Sequence, residues 1–328
     1  MSFSLADDRG DEASQPKLVL IQIDGVGVLA RTLLRCAASV AAPYRDAVLA
    51  VVGDLLEDIA VRTASAPAVG TDTPATIERR RGGSAANVAA AAASIGGAVR
   101  FIGRVGLDPL GAQLVADLAA TGVDVRAQHV GRTGSVIVLV SGDGERTMLP
   151  DRAAAIELRD VDPSWLDGVT WLHVPAYSLL SEPVGSTSMK LISAVRASGG
   201  RVSVDVSSVA VVEAFGLVEF VSLLDAIAPD VVFANEPESG LVPLGRPWIT
   251  VVKHGADPVV VDIPGGSELL SVVVSPLPGV ADTTGAGDSF AAGYIVATMA
   301  GGSVLDAVGH GIRQAAALLT ARVARPPR

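Results

Sequence analysis

The sequence predicts an α/β chain: a doubly wound, mostly parallel sheet with helices on both faces, plus a small β-sheet standing off it. Three observations predict this class. Ala47 to Val52 is a continuous apolar run closing on Gly53-Asp54, the pattern of a strand buried on both faces. From Gly82 onward, short apolar runs alternate with helical patterns, which implies right-handed crossovers within a parallel sheet. Gly53, Asp205, Asn235 and Lys253 all fall at the carboxyl ends of such runs, where sheets of this kind bind ligands.

Taken in order, residues 1–16 are polar and acidic and read as disordered. Leu18 to Ile23 reads as a strand, Asp24 to Gly27 as an ordinary turn and Leu29 to Val40 as a helix. Residues 1–46 are therefore set apart as an N-terminal extension without an assigned role, ahead of a main domain over 47–328. Ile59 to Thr63 and Thr73 to Arg79 alternate polar and apolar residues with Pro and Gly between them, as a small accessory sheet does. Arg79-Arg80-Arg81 reads as a solvated turn. Gly82-Gly83 then leads into an alanine-rich helix ending at Gly96-Gly97.

Strands are expected at Val99 to Val105, Ser135 to Val140, Trp171 to Val174, Arg201 to Val206, Asp230 to Ala234 and Ile249 to Lys253. Helices are expected at Pro109 to Ala120 and Glu182 to Ala197. The connection from Asn235 to Ile249 is barely long enough for a parallel crossover and carries Pro237, Gly240, Pro243, Gly245 and Pro247. A shortened or missing helix follows, with one sheet face partly uncovered.

Composition narrows the function. The formal charge of -10 argues against a nucleic-acid surface, which needs clustered Lys and Arg. Asp24, Arg31 and Arg35 interrupt the apolar stretch from Leu18 to Ala42, so no spanning helix is expected. A single cysteine, Cys36, excludes an internal disulfide framework and fits a reducing compartment. The expected setting is cytoplasmic and the expected partner a small molecule, with neither nucleic acid nor membrane involved.

Near the C-terminus stands Asp282-Thr283-Thr284-Gly285-Ala286-Gly287-Asp288-Ser289-Phe290, followed by a small-residue helical run from Ala291. A glycine turn opening a helix is an anion site, because backbone N–H groups and the helix dipole meet there. Asp288 puts a carboxylate where a phosphate should sit, a poor structural choice. It points to a base that deprotonates a hydroxyl attacking that phosphate. No GxGxxG follows the first buried strand, which disfavours a redox enzyme binding a dinucleotide.

Together with Gly82-Gly83 and Asn87, Arg104 to Asp108 with Gly111, Asn235-Glu236-Pro237-Glu238 and Lys253-His254-Gly255, this stretch resembles the ribokinase-like (PfkB) sugar kinases over roughly residues 47–320. The resemblance implies a doubly wound domain with a β-sheet lid, here near 59–80 and 130–150. It implies transfer of the ATP γ-phosphate to a primary hydroxyl of a small sugar, with Asp288 as base and Gly285, Ala286 and Gly287 as anion hole. Asn235, Lys253, Gly255, Asp282 and Thr283 are implied on the nucleotide side, along with Gly285 and Gly287. Asn235 and Glu238 are implied at a magnesium ion; a monovalent cation and a homodimer formed through the lid also occur in the family.

On the acceptor side the resemblance implies Asp58, Gly82, Gly83 and Asn87 around Asp288, with Asp54 a second candidate for the role of Asp58. A carboxylate and an amide suit a polyol, since one accepts from vicinal hydroxyls and the other both donates and accepts. Ser84 stands where several relatives carry lysine, which favours a neutral sugar or a nucleoside. Arg79 to Arg81, Arg104 and Arg152 are the cations available to a phosphorylated one. A nucleoside kinase of the adenosine or pseudouridine type, or a catalytically weak nucleotide-binding regulatory protein, stands as the alternative.

Overall fold

The computed structural model describes residues 17–21, 47–140, 146–280 and 282–324. The expected turn at Asp24, the helix from Leu29 to Val40 and Cys36 lie outside the described residues. The first half of the chain runs β1 (Lys17–Ile21), β2 (Val48–Val52), β3 (Leu56–Thr63), β4 (Ala75–Gly82), α1 (Ser84–Ser94), β5 (Ala98–Val105), α2 (Pro109–Ala119), β6 (Asp124–His129), β7 (Ser135–Val140) and β8 (Arg146–Asp151). It continues through β9 (Val169–Pro175), α3 (Val184–Ala197), β10 (Arg201–Asp205), α4 (Val209–Phe215), α5 (Leu217–Ile227), β11 (Val231–Asn235) and α6 (Glu236–Ser239). The last part comprises β12 (Ile249–Lys253), β13 (Val259–Asp262), β14 (Glu268–Val272), α7 (Ala286–Met299) and α8 (Val304–Val323).

Ten strands form one sheet in the order β1-β14-β13-β12-β11-β10-β9-β2-β5-β6. It is parallel except where β13 pairs antiparallel with β12 and β14. That hairpin turns the chain back at the edge, and β1 then adds in parallel to β14, Lys17 opposite Glu268. A smaller sheet, β4-β3-β7-β8, is the expected accessory lid.

Strand alternation divides the core into two layers. Leu49 and Val51 of β2 face the layer packed by α1, α2, α7 and α8, whereas Ala50 and Val52 face the layer packed by α3, α4 and α5. With few aromatics, the first layer closes through small residues, Ala85, Ala86, Ala89 and Ala92 of α1 against Ala291, Ala292 and Ile295 of α7. Two helices start on recognisable caps: Asp108 accepts from the Gly111 N–H at 2.8 Å with Pro109 at the first position of α2, and Ser303 forms a capping box with Asp306 at α8.

Two expectations need correction. The connection after β11 does hold only the single turn α6, but the sheet is not bare beside it: Val242 and Trp248 are buried there and join the α5 layer. Arg79, Arg80 and Arg81 belong to β4, not to a turn, because β4 pairs with β3 as far as Gly82 opposite Leu56. Among the described residues, no helix is long and apolar enough to cross a membrane.

Candidate active site

The stretch around Asp288 takes its shape from its glycines. Gly285 caps α7 in a left-handed conformation, φ 74°, which an L side chain rarely adopts. Helix α7 begins at Ala286, five residues earlier than the apolar pattern suggests, so Asp288 lies in its first turn. The Ala286 N–H donates to the Thr283 carbonyl at 3.1 Å and the Ser289 N–H to the Gly285 carbonyl at 2.9 Å. The Gly285, Gly287 and Asp288 N–H groups have no partner among the described residues, so they are the donors available to an anion at this helix start, whereas Ala286, expected in the anion hole, is committed to Thr283.

Asp288 is half-buried and held from α1. Ser84 Oγ donates to its Oδ1 at 2.7 Å and Asn87 Nδ2 to its Oδ2 at 3.0 Å. Burial pushes the carboxyl up to about 6, and the nearby Asp205 carboxylate adds to the rise, while Ser84, Asn87 and Lys253 pull it down. A base poised there is ionised at neutral pH yet still able to hold a proton.

Gly83 is what brings α1 to this place. Its φ of 95° turns the chain from β4 into the helix, and a Cβ there would lie 2.2 Å from the Asp54 carbonyl oxygen. Gly83→Ala is therefore expected to cost about 2–4 kcal/mol from backbone strain and overlap together. The denaturant midpoint measures this, and an unchanged midpoint contradicts it.

Beneath the helix start, Lys253 Nζ pairs with Asp205 Oδ2 at 2.8 Å. Burial works against the ammonium, but Asp205, then Glu238 and Asp288, hold its pKa above the ordinary lysine value. The ammonium would lie 3.2 Å from a Cβ on Gly287, so a fixed positive charge sits directly beside the unpartnered N–H groups. Asn235 and Glu238 form a complete capping box on α6: Glu238 Oε2 accepts the Asn235 N–H, Oε1 accepts Nδ2, and Asn235 Oδ1 accepts the Glu238 N–H. Burial, followed by the Asp205 charge, raises the Glu238 pKa.

Those capping bonds bear on a metal. Each Glu238 oxygen keeps a spare lone pair, which fits a magnesium ion held through its own waters. The described residues contain no group of three or more His, Cys, Asp or Glu side chains able to form a direct cage.

On the acceptor side, Asp54 and Asp58 separate. Arg152 grips Asp54 with two bonds, Nε to Oδ2 at 2.7 Å and Nη2 to Oδ1 at 2.8 Å, so the carboxylate is committed. Asp58 instead lines a cavity of about 380 Å³ together with Arg80, Arg81, Asn87 and Gly285. Burial raises its pKa, with Arg80 and Arg81 opposing. Gly82, at the end of β4, stands against it: a Cβ on Gly82 would overlap the Asp58 carboxylate.

Asp282 has a different setting from the one expected on the nucleotide side. Its carboxylate meets Arg146 at 2.9 Å, Arg322 at 3.2 Å and Arg80 at 3.3 Å, and accepts the Thr284 N–H at 3.0 Å. Burial alone would raise it; Thr284, Arg322 and Arg146 outweigh that and hold it far below the ordinary carboxylate range. It thereby ties both edge strands of the lid, β4 and β8, to α8. Gly255 lies apart from these contacts, in an exposed left-handed turn after β12.

Sequence reasoning assigns no role to Asp205, Arg146 or Arg322. For Asp205 the signal was its place at a strand's carboxyl end; the two arginines carry no local signal. Ser84, read as the mark of a neutral acceptor, instead holds the Asp288 carboxylate. His173 is a buried neutral packing residue, its pKa pushed down to about 4 by burial, with Nδ1 2.9 Å from Ser203 Oγ.

A family model described as pfkB family carbohydrate kinase matches residues 46–327. A fructokinase of Klebsiella pneumoniae is 31% identical over 243 residues, 67% of this chain and 78% of that protein. An ATP-dependent ribose-1-phosphate kinase of Halopiger xanaduensis is 32% identical over 254 residues, 71% of this chain and 79% of that one. Among solved structures, adenosine kinase from Sinorhizobium meliloti superposes with a TM-score of 0.74 at 25% identity, covering 84% of this chain and 94% of its own. With a doubly wound core, a β-sheet lid and a half-buried aspartate in the first turn of a glycine-opened helix, this chain belongs to the PfkB family of carbohydrate kinases.

Proposed function

We propose that this protein transfers the γ-phosphate of ATP to a primary hydroxyl of a small sugar. One observation carries the reading: Asp288, with its pKa pushed up to about 6, sits at the start of α7 beside unpartnered N–H groups and the Lys253 ammonium. Phosphoryl transfer asks the protein for positioning and charge stabilisation and little covalent chemistry, and this arrangement supplies both.

Asp288 accepts the acceptor's hydroxyl proton on a carboxylate oxygen, with Ser84 and Asn87 fixing its orientation. As the new O–P bond forms and the bond from the γ-phosphorus to the bridging oxygen breaks, ADP leaving with its electron pair, the Gly287 and Asp288 N–H groups and Lys253 stabilise the negative charge on the transferred oxygens. Glu238 and Asn235 are the residues that would hold magnesium, through water; when bound, it neutralises phosphate charge. Asp58 and Asn87 orient the acceptor's other hydroxyls, and the lid excludes water that would otherwise compete for the phosphoryl group.

The fructokinase and ribose-1-phosphate kinase relatives support a sugar acceptor. A nucleoside acceptor is the second reading, favoured by the likeness to adenosine kinase. The test is ADP formation with magnesium ATP across ribose, fructose, 2-keto-3-deoxygluconate, adenosine and pseudouridine. Acceptor-dependent ADP release with at least one of them is expected. ADP release that no acceptor stimulates contradicts the reading.

A further inference from the structure

Five arginines are candidates to meet an anionic acceptor, and the structure commits three of them elsewhere. Arg152 holds Asp54 and donates to Ser181 Oγ at 3.0 Å. Arg104 Nη1 donates to the Glu157 carbonyl at 2.7 Å, and the exposed Arg79 pairs with Glu57 at 3.1 Å. Arg80 and Arg81 line the cavity beside Asp58 and Asn87; Arg80 is shared with Asp282 at 3.3 Å and Asp58 at 3.7 Å, which leaves Arg81. The charged side chains lining that cavity are Arg80, Arg81, Arg322 and Asp58, and Asp282 pairs with Arg80 and Arg322 from behind, so three arginines face two carboxylates. This is a positive wall in a chain of formal charge -10, so overall composition does not produce it.

Arg81 is the informative member. It makes no ion pair among the described residues, and its hydrogen bond to Asn87 Oδ1 is long, 3.5 Å. Burial holds its pKa below the ordinary guanidinium value. The Asp117, Asp58 and Asp288 charges act on it from beyond ion-pair contact, so its fork is open to a ligand, and a guanidinium matches a phosphate or carboxylate in geometry as well as charge. Asn87 separates Arg81 from the base, since its amide bridges Arg81 and Asp288. An anion on Arg81 would thus lie one side chain from the reacting hydroxyl.

On the reading of this chain as a phosphotransferase acting at Asp288, we propose that its acceptor carries a phosphate or carboxylate group, bound in this cavity by Arg81 with Arg80. The cavity, at about 380 Å³, lies in the range of small-ligand sites. The cation comes from the lid strand β4 and not from the start of α1, where Ser84 is occupied with Asp288. The structure therefore reverses the preference for a neutral acceptor that Ser84 suggests.

The test compares kcat/KM for matched acceptors, each with a primary hydroxyl: fructose against fructose 1-phosphate and fructose 6-phosphate, and sorbitol against gluconate. Wild-type protein is expected to prefer an anionic member more than tenfold. Arg81→Gln is expected to lower that anionic-to-neutral ratio roughly ten- to a hundredfold, with Arg81→Lys restoring part of it. Arg80→Gln serves as a second variant should Arg81→Gln fold poorly. A wild-type preference for the neutral partners, or a ratio unchanged in the folded variants, overturns the proposal. Calorimetry of the full chain with the same anionic compounds and inorganic phosphate separates the two readings. Binding lost in Arg81→Gln without any turnover contradicts the kinase reading and upholds the anion site; no binding of any anionic compound overturns the anion site itself.

Discussion

Replacing Asp288 with Asn is expected to lower kcat about a hundred- to ten-thousandfold while ATP binding persists, because the substitution removes the proton acceptor and little else. The change keeps the shape of the side chain and its place between Ser84 and Asn87. It should also stabilise the protein at alkaline pH. The Asp288 pKa is raised from 3.8 to about 6 in the folded state, so its contribution to stability is fully present at acid pH and is lost as pH rises through about 6. Above that pH the half-buried charge is a burden, and the neutral amide relieves up to about 3 kcal/mol of it. Turnover and thermal midpoints at pH 8 measure the two effects together. A variant that turns over like wild type contradicts the assignment of the base.

Lys253→Met is expected to act on both chemistry and stability. It strips the positive charge from beside Gly287 and leaves Asp205 buried without its partner, which costs about 3–5 kcal/mol. The lost charge at the anion site should lower kcat roughly a hundredfold. It should also move the acid limb of the pH profile upward, because Lys253 is one of the groups that pull the Asp288 pKa down. A variant with the wild-type limb and a normal denaturant midpoint would show that Lys253 is a bystander.

The parts of this site that were legible in the sequence are those whose chemistry is local. Gly285, Gly287 and Asp288 lie within four residues of one another, and a glycine turn, a helix start and a carboxylate already specify an anion site with a base. The choice between Asp54 and Asp58 was not local. It turns on Arg152, about a hundred residues away, whose guanidinium occupies Asp54 and leaves Asp58 in the cavity wall. Arg80 and Arg81 stood among five candidate cations in the sequence, and three consecutive arginines resemble a solvated turn until β3 is seen to pair with them.

The fold divides in the same way. Buried parallel strands such as Ala47 to Val52 announce themselves, whereas the β13–β14 hairpin and the parallel addition of β1 depend on pairing between distant segments. Helices α4 and α5 are absent from the sequence-based expectations because Gly216 breaks the apolar period between them. The face expected to be exposed after α6 is filled by Val242 and Trp248, in a connection too rich in Pro and Gly to suggest a packing role.

The central claim is that a half-buried carboxylate with a raised pKa takes the proton from the acceptor. The pH dependence of kcat/KM for the acceptor tests it most directly. The account predicts an acid limb of unit slope with a midpoint near 6, the value set by Asp288, and a plateau above it. A rate that stays flat between about pH 5 and 8 would contradict it.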